Sequence, residues 1–184
     1  MIYIGYQGIG KSTICKYNIK GIDLESSNFK YENDNHEIVR DEKWYKAYVN
    51  IAKDLSNQGY SVFISSHKEV RTELKNYADC IAIVPDLSIK DEWVEKLKER
   101  YLLEEESGGV NATKHKLAYL NALNLYEKNI KDIMNDIEKV IIIPSIDYTL
   151  ESLINKYIAE NTDKKEWKKN FISTLAYYKY IEEL

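Results

Sequence analysis

The feature that most constrains this chain of 184 residues is a glycine-rich run between a predicted strand and a predicted helix. Ile2–Gly5 is a short apolar segment typical of a buried strand, and Lys11–Tyr17 begins a helical segment. The run that joins them reads GYQGIGKS, from Gly5 to Ser12. A strand, a tight glycine turn and a helix, in this order, predict a βα unit of an α/β fold.

The spacing of this run matches the P-loop pattern Gly-x-x-x-x-Gly-Lys-Ser, whose chemistry explains each position. Glycine permits backbone angles that other residues resist, so successive N–H groups can converge on phosphate oxygens. The lysine bridges the β- and γ-phosphates, and the hydroxyl that follows it binds magnesium. We therefore expect ATP and Mg²⁺ as cofactors, with Ser12 as the metal ligand. The residues expected to hold the nucleotide are Gly5, Gly8, Ile9, Gly10, Lys11, Ser12 and Thr13.

Short apolar segments alternate with helical ones along the chain, which is the pattern of βαβ units. The predicted strands are apolar on both faces, as in a parallel sheet covered by helices on both sides. They span residues 2–5, 21–24, 61–65, 80–84 and 140–143. The predicted helices span 11–17, 41–57, 68–76, 91–103, 111–136, 150–159 and 165–183. We expect a single α/β domain over residues 1–184, with a five-stranded parallel sheet and an added C-terminal helix at 164–184.

The composition is that of a folded, mildly acidic protein, with 44% hydrophobic residues and a net charge of −4. The acidity argues against a dedicated nucleic-acid binder, although a local basic cleft stays open. Cys15 and Cys80 are the only cysteines, which argues against disulfides or a zinc site and fits a reducing cytoplasm. No apolar stretch is long enough for a membrane helix, so we expect no membrane partner, and we expect no signal peptide.

Arginine is scarce in this sequence, since only Arg40, Arg71 and Arg100 are arginines among its 26 basic residues. Such a preference for lysine is typical of coding by an AT-rich genome, which suggests a bacterium or its phage. Under that bias each retained arginine is a candidate for binding an anion through its planar guanidinium group.

The order of elements up to about Tyr148 resembles the small P-loop kinases, which include nucleoside monophosphate, shikimate and gluconate kinases. The resemblance implies a P-loop NTPase fold with three α/β/α layers and a helical lid. It also implies that the phosphate donor lies on the glycine-rich loop and the acceptor over the carboxyl ends of the second and third strands. Residues 25–43 would then be an insertion that covers the acceptor, and residues 100–116 the lid.

Asp23 and Glu25 follow the second predicted strand. In the sugar and shikimate kinases that this chain resembles, a carboxylate here binds the acceptor hydroxyl or the metal. A carboxylate within hydrogen-bond reach can remove the proton from a hydroxyl acceptor. We expect Asp23 to act in catalysis and both residues to bind the acceptor. The alternative is that this segment only begins a loop with helix-cap chemistry.

The segment after the third predicted strand resembles the corresponding segment of gluconate kinases. Ser65 and Ser66 would face the acceptor, and Arg71 would bind an acidic group on it. His67 is a candidate base, or a hydrogen-bonding cap at the strand end. The sequence lacks the aspartate that many P-loop proteins place there for magnesium. Arg40, directly before the second predicted helix, would supply a second cation for a phosphorylated acceptor.

Arg100 lies where these kinases begin their lid, and Gly108-Gly109 is a candidate hinge. A lid arginine neutralises charge on the transferring phosphoryl group, so we expect Arg100 to be catalytic together with Lys11. Other lid cations would be lysines, with Lys96, Lys114 and Lys116 as candidates. Tyr148, after the last strand, would stack on the adenine or serve only in packing.

We expect an ATP-dependent phosphotransferase whose acceptor is a nucleoside monophosphate, in particular a deoxynucleotide, because three arginines around the cleft suit an anion. One alternative is a hydroxyl acceptor, either a sugar acid or a modified nucleobase, free or in nucleic acid. A second alternative is a nucleotide-dependent binding protein without transfer activity, which the missing strand-end carboxylate keeps open. The sequence leaves open whether the chain forms a homodimer.

Overall fold

The computed structural model describes residues 1–32 and 38–161. Part of the predicted insertion (33–37) and the predicted C-terminal helix at 164–184 lie outside the described residues. The chain divides into two compact units, Met1–Tyr148 and Thr149–Leu184. The expectation of a single domain over residues 1–184 stays a prediction.

The first unit contains a sheet of five strands, all of them parallel, which confirms the expected α/β class. The strands follow one another across the sheet in the order β2-β3-β1-β4-β5. Their bounds match the sequence prediction to within one residue. They are β1 (Ile2–Gly5), β2 (Gly21–Asp23), β3 (Ser61–Ser65), β4 (Cys80–Pro85) and β5 (Val140–Ile143).

The centre of the sheet is apolar because its strands are covered on both faces. Every residue of β1 and of β4 is buried, and so are the three central residues of β3. In this register Ile4 lies between Ile64 on one side and Ala82 on the other. Burial of these continuous apolar runs is the main favourable contribution to folding.

Seven helices surround or follow the strands in the part of the chain that the structure describes. They are α1 (Lys11–Tyr17), α2 (Ser27–Lys30), α3 (Trp44–Asn57), α4 (Lys68–Leu74), α5 (Lys90–Glu106), α6 (Ala112–Asp136) and α7 (Leu150–Asn161). A short 3₁₀ turn at Leu87–Ile89 precedes α5. The sequence prediction missed α2, which forms inside a stretch read as a polar loop. It also began α3 too early, because the Asp41 carboxylate accepts from the Lys43 N–H and forms a turn before the helix.

The strand order places a topological switch point between β1 and β3. The chain leaves β1 towards β2 in one direction across the sheet, and it leaves β3 towards β4 in the other. Because crossovers between parallel strands are right-handed, we expect α1 and α4 on opposite faces of the sheet. In open α/β sheets the crevice at the carboxyl end of such a switch point is the usual ligand site.

Helices α5 and α6 pack against each other around a tight turn, as the predicted break at Gly108-Gly109 required. Gly108 has φ +67°, a backbone conformation that favours glycine. A Cβ on Gly109 would overlap the Glu104 carboxylate, which accepts from the Asn111 N–H at 3.1 Å. The helix break is therefore confirmed, and a hinge motion at this turn stays a prediction.

The second unit is described only over α7 and the residue before it. The N–H of Ser152 bonds to the Thr149 hydroxyl at 3.3 Å, so this threonine caps the start of the helix. Within residues 1–32 and 38–161, no helix is both long enough and apolar enough to cross a bilayer.

Candidate functional site

The loop from Gly5 to Ser12, here called the glycine loop, joins β1 to α1 at the carboxyl edge of the sheet. Gly8 and Gly10 have φ values of +83° and +91°, which side chains rarely adopt. Gly5 is needed for a different reason, because a Cβ there would lie 2.5 Å from Ile9 Cδ1 and 3.0 Å from Lys11 Cδ. The three glycines therefore allow the backbone to turn tightly beneath the Lys11 side chain.

Three side-chain hydrogen bonds hold the glycine loop from outside. Gln7 Nε2 donates to the Ala118 carbonyl on α6 at 2.6 Å. Trp93 Nε1 on α5 donates to the Gln7 carbonyl at 3.1 Å. The Tyr148 hydroxyl donates to the Ile9 carbonyl at 2.8 Å. Tyr148 thus lies at the loop, with its hydroxyl engaged in loop support, while its expected stacking on adenine stays a prediction.

Lys11, Ser12 and Asp23 come together where β1 and β2 end. The Ser12 hydroxyl donates to Asp23 Oδ2 at 2.5 Å. Asp23 Oδ1 is buried and has no hydrogen-bond partner among the described residues. Burial lowers the pKa of Lys11, while the nearby carboxylates of Asp23 and Glu25 act to raise it. A buried carboxylate oxygen without a donor points to a ligand, because such oxygens are otherwise satisfied in folded proteins.

Glu25 is joined to the beginning of α6 by an ion pair. Lys114 Nζ lies 2.5 Å from Glu25 Oε2, although 89 positions separate the two residues. The Lys114 charge also acts to lower the pKa of Lys11, so the two ammonium groups lie in one electrostatic environment. The structure therefore brings one of the expected lid lysines to the expected acceptor carboxylate.

A group of hydroxyls and an imidazole lies where β2 and β3 end. Ser26 Oγ donates to Ser65 Oγ at 3.1 Å and lies 3.2 Å from His67 Nε2. The Tyr48 hydroxyl donates to the Leu24 carbonyl at 2.7 Å and accepts from the Ser65 N–H at 3.0 Å. Tyr48 thus links the ends of two adjacent strands, and the expected acceptor residues Ser65 and His67 lie next to each other.

His67 is an uncharged imidazole at neutral pH. Burial and, to a smaller extent, the nearby Lys30 charge lower its pKa to about 4. The ring also contacts the edge of Trp44, with 5.2 Å between ring centroids. His67 therefore forms a hydrogen bond as a neutral ring at the end of β3, as one of its two expected roles required, and its candidate role as a base stays a prediction.

Arg71 is only 7% exposed, and its guanidinium group bonds within the protein. Its Nε pairs with Asp136 Oδ2 at 2.9 Å, and Nη1 donates to the Ser66 carbonyl at 2.6 Å. The side chain thereby ties the loop after β3 to the end of α6. This is a structural role for Arg71, whose expected contact with an acceptor stays a prediction. Ser66 takes part through its main-chain carbonyl.

The other two arginines also have partners within the protein. Arg40 donates from Nη2 to the Tyr31 carbonyl at 3.1 Å and is exposed. It lies before α3, next to the bridge between Tyr31 and Val39. Arg100 Nη2 lies 2.5 Å from Nε2 of His115, which is 8% exposed. Since guanidinium can only donate, the imidazole accepts this hydrogen bond in its neutral form.

The oxygen ligands around Ser12 suit a hard divalent cation. No group of three or more histidine, cysteine, aspartate or glutamate side chains able to hold a metal occurs in the described ranges. Magnesium bound with a nucleotide needs fewer protein ligands, because phosphate oxygens and waters complete its octahedron. The Ser12 hydroxyl fits that requirement, because donating its proton to Asp23 Oδ2 leaves its oxygen lone pairs for the ion. Asp23 thus places a carboxylate near the glycine loop. The end of β3 supplies none, because serines stand there.

Several residues of the site were missed from the sequence. Trp93 and Leu97 on α5 were not expected at the loop, although they recur at helical spacing with the lid candidates Lys96 and Arg100, a signal that could have linked this helix face to the loop. Ser26 directly follows an expected acceptor residue and could have been included with it. By contrast, no sequence signal relates Asp136 to Arg71, because 65 positions separate them.

Comparisons with known proteins add no assignment to this geometry. Neither a scan of protein-family models nor a search of curated proteins gave a match for this chain.

Proposed function

We propose that this chain is a P-loop kinase that transfers the γ-phosphate of ATP, with Mg²⁺, to a small acceptor. The observation that carries the proposal is the meeting of Lys11, Ser12 and Asp23 at the ends of β1 and β2. The parallel sheet, the strand order and the positive φ of Gly8 and Gly10 support the same assignment. In this proposal the fold is a three-layer P-loop NTPase fold with a lid over residues 100–116, from the end of α5 to the start of α6, and the chain resembles the small P-loop kinases.

Each residue of the site has a defined task in this reaction. N–H groups of the glycine loop and the Lys11 ammonium bind the phosphates of ATP. The Ser12 hydroxyl, assisted by Asp23, holds magnesium, which neutralises charge on the β- and γ-phosphates when bound. Among the expected lid cations, Lys114 pairs with Glu25, which lies two residues after Asp23. Lys114 and Arg100 would stabilise the transferring phosphoryl group.

The geometry favours a hydroxyl acceptor over a phosphate acceptor. The side chains gathered at the ends of β2 and β3 are carboxylates, hydroxyls and a neutral imidazole. Arg71, one of the three arginines that suggested an anionic acceptor, is paired with Asp136. In the transfer step the acceptor oxygen bonds to the γ-phosphorus, the bond to the bridging oxygen of ADP breaks, and Asp23 receives the hydroxyl proton.

A nucleoside monophosphate is the second candidate acceptor. Arg40 is exposed and bonds to a main-chain carbonyl, and a guanidinium group with five donors can bind a phosphate at the same time. Arg100 bonds to a neutral imidazole and is likewise able to bind an anion. A phosphate acceptor needs no base, so this candidate does not depend on proton transfer to Asp23.

The test is ATP consumption by the purified protein with magnesium, in the presence of a panel of acceptors. The panel contains nucleoside and deoxynucleoside monophosphates, gluconate, shikimate, and hydroxyl-bearing modified nucleobases both free and in DNA. The control is Lys11→Ala, with Lys16→Ala as a matched change at an exposed position of the same helix. Turnover that the Lys11 change abolishes and the Lys16 change preserves supports the proposal.

ATP binding without turnover on any acceptor would instead favour the nucleotide-dependent binding protein. The Ser12–Asp23 contact argues against that alternative, because it supplies the carboxylate that the end of β3 lacks. Product analysis by phosphorus NMR then separates the two acceptors, since a phosphate acceptor gives a new diphosphate and a hydroxyl acceptor a new monoester.

A further inference from the structure

Two aromatic side chains outside the glycine loop donate hydrogen bonds to main-chain carbonyls within it. Trp93 Nε1 bonds to the Gln7 carbonyl at 3.1 Å, and the Tyr148 hydroxyl bonds to the Ile9 carbonyl at 2.8 Å. Trp93 is fully buried, and burial raises the pKa of Tyr148 well above its usual range, so the phenol remains a donor. Neither hydrogen bond has a task in the proposed phosphotransfer reaction.

The planarity of the peptide bond gives these two contacts a consequence for the loop. In a trans peptide the carbonyl of one residue and the N–H of the next point in opposite directions. Fixing the Gln7 carbonyl therefore fixes the direction of the Gly8 N–H, and fixing the Ile9 carbonyl fixes that of Gly10. Both glycines have positive φ, the conformation in which successive N–H groups converge on an anion.

The surroundings of the two donors are closely packed. The rings of Trp93 and Tyr148 lie nearly parallel, with 6.1 Å between centroids. Lys96 Nζ lies 4.7 Å from the Trp93 ring centroid and 4.9 Å from that of Tyr148. On the same helix, Leu97 Cδ2 would be 2.7 Å from a Cβ on Gly8. Rings held in this way cannot follow the loop if it changes shape.

We propose that Trp93 and Tyr148 are positioning residues that hold the Gly8 and Gly10 N–H groups towards the phosphates before nucleotide binds. The proposal rests on the proposed function only in assuming that the glycine loop binds phosphate. A loop already held in its binding shape loses less entropy when the ligand arrives, so binding is tighter. The aromatic pair acts through the loop and contacts the phosphates nowhere.

The test uses Tyr148→Phe, which removes the hydroxyl and keeps the ring beneath Lys96. Tyr101→Phe is the matched control, since Tyr101 likewise stacks on another aromatic ring, Tyr119, with a lysine over it, and its hydroxyl bonds to Glu105. Calorimetry measures the binding of Mg-ATP and of inorganic tripolyphosphate. We expect Tyr148→Phe to weaken both ligands about three- to tenfold, the effect of one neutral hydrogen bond.

The control should bind both ligands as the wild type does. Unchanged affinities in Tyr148→Phe would overturn the inference, and so would weaker ATP binding with unchanged tripolyphosphate binding, which would mean that Tyr148 contacts the base. The proposed function fails separately, if the wild type binds ATP but transfers phosphate to no acceptor. A wild type that binds neither ligand would contradict both.

Discussion

The Ser12 hydroxyl donates a hydrogen bond to Asp23 Oδ2 across strands that are not neighbours, since β3 lies between β1 and β2 in the sheet. The contact joins the last residue of the glycine loop, in the first turn of α1, to the end of β2. It also leaves Asp23 Oδ1 buried and without a described partner. Asp23 is therefore the residue at which nucleotide, metal and acceptor chemistry would meet.

Asp23→Asn separates the two candidate acceptors. With a hydroxyl acceptor we expect turnover to fall about 10²- to 10⁴-fold, the usual contribution of a general base, while Mg-ATP binding changes far less. Steady-state kinetics and calorimetry measure the two quantities. Asp54→Asn, at an exposed position of α3, is the matched control. Turnover that stays within a few-fold of the wild type would exclude proton transfer to Asp23 and favour a monophosphate acceptor.

Lys114→Met removes the cation that reaches Glu25 from α6. We expect kcat to fall roughly tenfold or more, because a lost donor to the developing phosphoryl charge costs about that much even in a partly exposed site. Lys128→Met is the control, since this exposed lysine lies on the same helix and pairs with Asp132. Equal kcat values for the two variants would show that Lys114 serves only the ion pair.

Comparing Gly8→Ala with Gly10→Ala separates the cost of backbone strain from the cost of steric overlap by the new Cβ atom. Both glycines have positive φ, so either alanine costs roughly 1–2 kcal/mol. At Gly8 the new Cβ also meets Leu97 Cδ2 at 2.7 Å, whereas nothing lies within 4 Å at Gly10. We expect chemical denaturation to give Gly8→Ala the lower free energy of unfolding. Equal values would contradict the close packing of α5 against the loop.

His67 makes stability depend on pH in the acid range. Its pKa is lowered to about 4 in the folded protein, against an ordinary value of about 6.5 in the unfolded chain. Between these values the unfolded state binds more protons, so the free energy of unfolding falls as pH drops from about 6.5 to about 4.

His67→Gln should flatten this fall, as followed by thermal unfolding between pH 4.5 and 7.5. His115, whose pKa burial also lowers, contributes in the same direction. The informative quantity is therefore the difference between the variant and the wild type in how steeply the unfolding temperature falls with pH. A variant that loses stability with pH as steeply as the wild type would show that His67 titrates normally.

The strands and most helices could be predicted because buried strands are continuous apolar runs bounded by turn residues. The bounds of β1, β3 and β5 were predicted correctly to the residue. Helix α2 could not be foreseen, because four residues carry no periodicity that distinguishes a helical turn from a loop.

The candidate site was predictable where one local motif carries it and not where distant segments meet. The spacing of the glycine loop indicated Lys11 and Ser12 directly. Two ion pairs depend on where α6 lies relative to the sheet. They join Arg71 to Asp136 and Glu25 to Lys114. An arginine can bind an anionic ligand or pair with a carboxylate of the protein, and the sequence does not distinguish these roles. The three-dimensional structure shows that Arg71 pairs with Asp136.

The most direct test of the central claim is calorimetric titration of the wild type and of Lys11→Ala with Mg-ATP. We predict saturable binding to the wild type and a loss of affinity of roughly 10- to 150-fold in Lys11→Ala, as expected for a charged hydrogen bond to phosphate. Lys16→Ala should bind as the wild type does. Absence of binding to the wild type, or equal affinity in Lys11→Ala, would contradict the assignment of the glycine loop as a triphosphate site.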